Sequence, residues 1–488
     1  MRNRDRRKFL RDAASAAALT VVPRRVLGGL GQVAPSEKIT VACVGVGAQG
    51  TRVMMDFMKS KDIQVVAVCD VNKESSDYVE WNDKELRDKE RSLLGKSDWG
   101  QDWSGPTAGR EPARRLVEAY YANQTQSGEF KGCNTYIDYR ELLEKEKDLD
   151  GVIIGTPDHI HAVVATAAMK ARKHVFCQKP LTHSIYEARQ LAEIARETKV
   201  ATQVAIANQA SEATRLLCEW IWSGAIGPVR EVHNWSSRPF WPQGIERPKT
   251  EESVPASLDW NRWLGPAPFR PFNRAYLPFV WRGWFDFGNG ALGDMGCYSF
   301  DTIHRVLRLG APESVEASST RVFPETYPTA GMIHFHFPSR GDMPPVRLTW
   351  YDGGLRPTRP AQLEEAREMG RENEGLLFVG DNGTIMCGFN GANPKLIPES
   401  KMQEFKQPPK TLPRSPGNTE EWIAACKGGA AGGANFEFEG PITETLLLGN
   451  IALRTGRKLK WDARNMKVLN FPEAQQYVRR EYREGWVL

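Results

Sequence analysis

Gly45-Val46-Gly47-Ala48-Gln49-Gly50 has the glycine spacing of a loop that cradles a pyrophosphate. Gly45 allows the tight turn, Gly47 lets the backbone approach the phosphates, and Gly50 lets a helix pack closely on the preceding strand. Ala48 and Gln49 fall at the start of that helix, where unpaired N–H groups and the positive end of the dipole attract anions. Asp70 follows Gly50 by 20 residues and can accept a hydrogen bond from a ribose 2′-hydroxyl. Its charge would repel a 2′-phosphate, and no arginine follows it, so the expected dinucleotide is NAD rather than NADP. Two more reactive groups stand in the glycine-rich run 288–301. Asp294 and Tyr298, spaced i and i+4 where that run meets a helix, are neighbours on one helical face.

The elements that must position these groups are legible as apolar runs. A buried strand at 38–44 leads into the glycine loop, a helical stretch at 51–58 follows, and a second strand at 63–69 ends at Asp70. A further strand, 151–155, runs into Thr156-Pro157-Asp158-His159-Ile160-His161 and a helix at 162–171. The strand 174–177 ends in Gln178-Lys179-Pro180. Ligands in open parallel sheets lie beyond the carboxyl ends of strands, and Gly45, Asp70, Thr156 and Lys179 all occupy such ends. His159 and His161 have no second His/Cys cluster to complete a metal site, so no metal is expected.

Residues 73–131 are polar, with helix-like pieces at 84–94 and 113–121, and read as an excursion from the sheet, a lid or an oligomer contact. Asp138 and Glu141 have capping-box spacing. The second half predicts helices over 184–198 and 212–223 and strands near 229–236, 315–322 and 332–337. It also predicts a hairpin over 376–387, a capping box at Asn418 and Glu421, and a helix over 442–455 stopped by Gly456. Eight of the 15 tryptophans lie between 220 and 284. Those between Trp241 and Trp284 are candidates for stacking on sugar rings, with core packing as the alternative. His304 is expected to be structural or at a rim.

Composition bounds the partners. The 488 residues carry a net charge of +5, but eight basic and two acidic residues fall within 1–34, leaving a body of net charge −1. That argues against nucleic acid as a partner. No run is long and apolar enough to predict a membrane-spanning helix. The leader has Arg6-Arg7-Lys8, a modest apolar stretch and then Pro23-Arg24-Arg25, the anatomy of a twin-arginine export signal, so periplasmic or otherwise exported localisation is expected.

GVGAQG at 45–50, TPDHIH at 156–161 and QKP at 178–180 together resemble the glucose-fructose oxidoreductase / inositol dehydrogenase (Gfo/Idh/MocA) family, in which QKP is usually EKP. The resemblance implies an α/β chain. A Rossmann doubly wound parallel sheet occupies 35–183, followed over 184–488 by an α+β substrate and oligomerisation domain with a large, mostly antiparallel open sheet. It places cofactor contacts at Gly45, Gly47, Ala48, Gln49, Gly50, Asp70, Thr156, Pro157, Asp158, His161, Gln178 and Lys179. It also implies a homo-oligomer through the C-terminal sheet.

The 288–301 run resembles the family's catalytic helix motif with tyrosine at the histidine position, so Lys179, Asp294 and Tyr298 become the expected catalytic set. Alcohol oxidation removes a hydride from carbon and a proton from oxygen, and the proton needs an acceptor. A free tyrosine is too weak a base at neutral pH, but a nearby ammonium lowers its pKa. Tyr298 is thus the expected general acid/base, Lys179 its electrostatic partner and proton relay, and Asp294 the orienting group. The expected function is exported NAD-dependent oxidation or reduction at a hydroxyl-bearing carbon of a sugar, cyclitol or glycoside. One alternative is an NAD-retaining enzyme that cleaves glycosides by transient oxidation and elimination. The other is a non-catalytic binding protein on the same fold.

Overall fold

The computed structural model describes residues 37–79 and 84–488. The leader at 1–34, and the export signal read there, lie outside the described residues. Six strands form a wholly parallel sheet in the order 3-2-1-4-5-6. They are β1 (Ile39–Val44), β2 (Ile63–Cys69), β3 (Asn134–Tyr136), β4 (Gly151–Ile154), β5 (His174–Cys177) and β6 (Thr202–Val204). Strands β1, β4 and β5 are apolar almost throughout because helices cover both faces of the sheet.

The sheet continues past residue 183, the boundary expected from sequence, because β6 pairs with β5 after the Ile185–Thr198 helix. Ser184 and Glu187 close a reciprocal capping box on that helix.

Part of the 73–131 segment belongs to the layer on the sheet rather than to an excursion. Its helix Arg110–Ala122 buries Leu116, Val117 and Tyr121 in one cluster with Val65 and Val68. The Tyr121 hydroxyl accepts the Val65 N–H at 2.9 Å. This helix, which contains the expected helical piece 113–121, lies on the crossover between β2 and β3.

Nine strands form the second sheet: β7 (Val229–Trp235), β8 (Ser314–Ser319), β9 (Gly331–Phe337), β10 (Val346–Tyr351), β11 (Gly375–Gly380), β12 (Gly383–Cys387), β13 (Lys395–Ile397), β14 (Leu459–Asp462) and β15 (Lys467–Val468). Their order is 13-12-11-7-10-9-8-14-15, and only β7 and β10 pair in parallel. Strand β9 alternates cleanly: Ile333, Phe335 and Phe337 are buried, while Met332, His334 and His336 face outward. Strands β3, β6, β10, β13, β14 and β15 were not expected from sequence; five of these six are only two to four residues long.

The Phe436–Thr455 helix begins earlier than the expected 442, runs through Pro441 and is capped by Asn435. At Asn418 the expected capping box does not form. Gly417 precedes the helix, while the Asn418 amide donates to Val204 O and accepts from Gln203. Asp138 does cap the next helix, but Glu141 pairs with Lys145 instead of closing a box.

One buried cluster joins Val152 and Ile154 of the first sheet, Leu191, Leu446 and Ile451 of the helices, and Phe335 and Trp350 of the second sheet. That shared core sets the two halves in register. No helix among the described residues is long and apolar enough to cross a membrane.

The glycine loop is held by close backbone contacts. A Cβ on Gly50 would fall 1.9 Å from Gly45 O. Gly50→Ala is therefore expected to destabilise the protein by about 1–3 kcal/mol and to weaken dinucleotide binding, measured by denaturant unfolding and by NADH fluorescence titration.

Candidate active site

Lys179 follows β5, and Asp294 and Tyr298 sit over the second sheet, yet the shared core brings the three together. The Lys179 Nζ donates to Asp294 Oδ1 at 2.9 Å and to Asp294 O at 2.7 Å. It also lies 5.0 Å from the centre of the Tyr298 ring.

Asp294 does not stand on the regular helix expected from its spacing. Residues Leu292–Gly296 form a π-helical turn, and the α-helix begins at Cys297. Such wide turns recur at functional sites. Here the turn aims the carboxylate at Lys179 and leaves Tyr298 in the first turn of the next helix. The surrounding glycines serve tight packing: a Cβ on Gly293 would fall 2.1 Å from the Asn289 side chain.

Arg282 was not singled out from sequence. Its Nε donates to Asp294 Oδ1 at 3.0 Å and its Nη1 to Phe279 O at 3.0 Å. The guanidinium lies 4.3 Å from the Trp281 ring and 4.6 Å from the Phe279 ring. The available signal was a single arginine among aromatics just before the glycine run.

Asp294 is thus wedged between two cations. Burial would raise its pKa, but Lys179 and Arg282 overcome that and hold it at about 2. For Lys179, burial opposes the charge, yet Asp294 and then Tyr298 hold the ammonium above its ordinary value. Tyr298 corrects the sequence expectation. Burial raises its phenol, and Lys179 opposes the rise without cancelling it. The net shift is upward, so the resting hydroxyl is a proton donor.

Asp158 begins the helix after β4. It is buried, takes a hydrogen bond from Asn289 Nδ2 at 2.9 Å, and is pushed up to about 7 by burial, with Arg282 and Lys179 pulling the other way. A carboxyl with a free-chain pKa near 3.8 and a folded value near 7 binds its proton only in the folded state between those values. Stability is then lost as pH rises through that window, with a slope of about 1.4 kcal/mol per unit. Asp158→Asn is expected to remove this component, seen as a flatter pH dependence of the unfolding free energy between about pH 4 and 7.

On the dinucleotide side, Gly45 takes a φ of +83°, and a Cβ there would lie 2.5 Å from Thr156 N. The helix Ala48–Met58 begins directly after Gly47, so the Ala48, Gln49 and Gly50 N–H groups belong to its unpaired first turn. Thr156 Oγ1 is buried with no hydrogen-bond partner among the described residues. Tyr78 packs its ring against Gly47. Asp70 lies beside the loop, accepting the Val46 N–H at 2.8 Å and the Asn72 N–H at 2.8 Å. A carboxylate has lone pairs left for a ribose hydroxyl. These residues fit a dinucleotide. Arg110, 40 residues on, donates to Asp70 O at 3.2 Å, so the fold brings an arginine here that the local sequence lacks.

Pro157 and Gln178 border the same strand ends, and Gln178 is buried. His161 has no free edge for a nucleotide. Its ring nitrogens lie 2.8 Å from Pro180 O and 2.9 Å from Thr156 O, so it clamps the two loops from behind. His159 similarly meets Trp263 O at 2.9 Å and Phe287 O at 3.3 Å. No group of three or more His, Cys, Asp or Glu residues among the described residues is placed to hold a metal.

The tryptophans divide. Trp260, Trp263 and Trp284 form a buried cluster with Phe272, Tyr276 and Phe287, closed to a sugar ring. Trp281 is half-buried beside Arg282. His304 is a core residue bonded to Phe300 O.

Two family models match the chain in succession. One, described as the oxidoreductase family's NAD-binding Rossmann fold, covers residues 39–206; the other, its C-terminal alpha/beta domain, covers 228–337. Levoglucosan dehydrogenase of Pseudarthrobacter phenanthrenivorans is 31% identical over 149 residues, 29% of this chain and 37% of that protein. Inositol 2-dehydrogenase of Salmonella typhimurium is 32% identical over 136 residues, 26% of this chain and 39% of that protein. Glycosyl hydrolase family 109 protein 1 of Shewanella sp. is 27% identical over 190 residues, 38% and 33% of the two chains. The matched stretches thus span little more than a third of these relatives. The WlbA dehydrogenase of Bordetella pertussis, solved with NADH and UDP-GlcNAcA, superposes with a TM-score of 0.54 at 15% identity, covering 87% of this chain and 99% of that one. At that identity the likeness concerns the fold.

Proposed function

The chain belongs to the Gfo/Idh/MocA family of NAD-binding oxidoreductases, and from that premise we propose that it interconverts the alcohol and carbonyl forms of a sugar, cyclitol or glycoside carbon. The observation that supports this reading is the meeting of Lys179, Asp294 and Tyr298 across the two halves of the molecule. NAD, when bound, supplies the acceptor for the substrate hydride, and NADH the donor. Every proton step falls to the chain. In reduction, the Tyr298 hydroxyl donates its proton to the forming alkoxide. In oxidation, the phenolate takes the proton from the substrate hydroxyl. Lys179 stabilises both oxyanions by its charge. Asp294 holds Lys179 in place, and Arg282 holds Asp294.

The test is a panel of sugars, cyclitols and glycosides assayed at the reduced-cofactor absorbance. Turnover of at least one is expected. No turnover of any, with NAD bound, would leave a non-catalytic binding protein. The likeness to a glycosyl hydrolase family 109 protein favours one second reading, glycoside cleavage through transient oxidation and elimination. Free sugar released without net NADH would identify it.

NAD is preferred over NADP in this reading because the Asp70 carboxylate faces the loop while Arg110 reaches only its carbonyl. Asp70→Ala is expected to narrow the preference for NAD at least tenfold, measured by titration of both cofactors. Equal binding by the wild type would sink the preference.

Export by the twin-arginine route is part of the same proposal, tested by whether Arg6→Lys with Arg7→Lys retains the protein in the cytosol. So is a homo-oligomer through the outer face of the nine-stranded sheet, where Met332 and His334 stand; light scattering reads it.

A further inference from the structure

Arg282 has donors to spare beside the reacting groups. A guanidinium carries five N–H donors. Two are spent, one from Nε on Asp294 Oδ1 and one from Nη1 on Phe279 O. Nη2 has no acceptor among the described residues. It is also within reach of a ligand: the side chain is 18% exposed, and Nη2 is open where the unpaired Nε atoms of Arg87 and Arg270 are sealed in. With two bonds made and the Trp281 and Phe279 rings beside it, the group is held in place before any ligand arrives.

Asp294 fixes where this open nitrogen stands. Arg282 Nε and Lys179 Nζ donate to the same carboxylate oxygen. The open nitrogen is therefore within the span of one sugar molecule from the ammonium that serves the reacting oxygen.

The charges around it do not balance. Two cations share one carboxylate. Asp158, the other carboxyl whose charge acts on both, bonds Asn289 rather than either cation. Burial pushes it up to about 7, so it keeps its proton on the acid side of neutrality. Tyr298 is a neutral phenol. One positive charge is left without a resident counter-charge in a largely desolvated site.

That excess discriminates among substrates. A neutral hydroxyl can accept from Nη2 but leaves the charge unanswered. An apolar group does neither. A carboxylate does both, and its charge-assisted hydrogen bond is roughly twice as strong as a neutral one. Its single charge matches the excess, whereas a phosphate ester brings about 1.5–2.

We propose that the substrate is a sugar acid whose carboxylate binds Arg282 Nη2 while Lys179 and Tyr298 serve the reacting oxygen. The carboxylate is a handle and takes no part in hydride or proton transfer. The inference rests on the proposed alcohol–carbonyl reaction and narrows its substrate class.

The test uses the full chain with NAD and three matched pairs: glucuronate and glucose, galacturonate and galactose, methyl glucuronide and methyl glucoside. Glucose 6-phosphate is the contrast. In at least one pair the acid is expected to have a kcat/KM at least tenfold above its neutral partner, and added salt should narrow that gap. Arg282→Gln should lower kcat for both partners, because Asp294 loses the group that holds it. The acid-to-neutral ratio should also fall at least tenfold, through KM. Affinities of the same compounds for the NADH-loaded chain, read by NADH fluorescence, give that ratio without turnover, and thermal melts establish that the variant is folded. A gap below tenfold in all three pairs, glucose 6-phosphate preferred over every acid, or a ratio unchanged in Arg282→Gln would overturn the inference. No turnover of any compound would undo the proposed reaction instead, and the binding ratios would still decide this one.

Discussion

Tyr298→Phe is expected to lower kcat by about 10²–10⁴-fold, the usual weight of a positioned general acid/base. NADH affinity and melting temperature should stay near those of the wild type. The substitution removes one oxygen and keeps the ring that lies 5.0 Å from the Lys179 ammonium, so the electrostatic arrangement of the site survives. The upward shift of the phenol adds a directional signature. At neutral pH the hydroxyl is protonated and ready to donate, which suits carbonyl reduction. Oxidation needs the phenolate, whose population grows with pH, so oxidative kcat/KM should rise from neutral to alkaline pH, while reductive kcat/KM should stay level until the pH nears the raised phenol value and fall beyond it. Both dependences should vanish in the residual activity of Tyr298→Phe. Unchanged turnover in that variant would remove tyrosine from the mechanism.

Asp294→Ala carries the largest expected stability effect. Lys179 and Asp294 have side chains only 12% and 13% exposed, and Arg282 is 18% exposed. Removing the carboxylate leaves two cations facing each other in a desolvated site. Breaking a buried pair from one side costs about 3–5 kcal/mol. The sign with pH is fixed by the depressed carboxyl. Its contribution is complete above the free-chain value near 3.8 and is lost as pH falls towards about 2, so wild type and variant should converge on acidification. Denaturant unfolding at pH 7 and at pH 3 measures both. A difference below about 1 kcal/mol at pH 7 would place the pair among those that contribute little. Turnover should fall together with stability, because Lys179 loses the group that holds it.

Most of the parallel sheet was legible because its signals are local. The apolar run 38–44, the glycine loop and the run 63–69 ending at Asp70 each need only a few consecutive residues to be read. The same holds for the strand near 332–337 and for the helix over 184–198. Reading failed where a residue serves a distant partner. Asn418 has the type and spacing of a cap, but its amide is more useful against Gln203 and Val204. The helical character of 113–121 is local and legible, but its docking on the sheet depends on the distant bond between Tyr121 and β2. Short strands such as β6 and β15 exist because a neighbour supplies their hydrogen bonds.

The site shows the same division. Residue types and spacing were enough to nominate Lys179, Asp294 and Tyr298, because the chemistry of an ammonium, a carboxylate and a phenol belongs to the side chains themselves. What those groups become was decided by the fold. The π-turn aims Asp294, and the aromatic setting of Trp281 and Phe279 delivers Arg282 to it. Desolvation then sets the proton affinities, raising Tyr298 despite the ammonium and carrying Asp158 to about 7. Periodicity and motif spacing are written into neighbouring residues and survive in the chain alone. Burial and long-range charge depend on everything packed around a group, so they come into being only when the two sheets close on their common core.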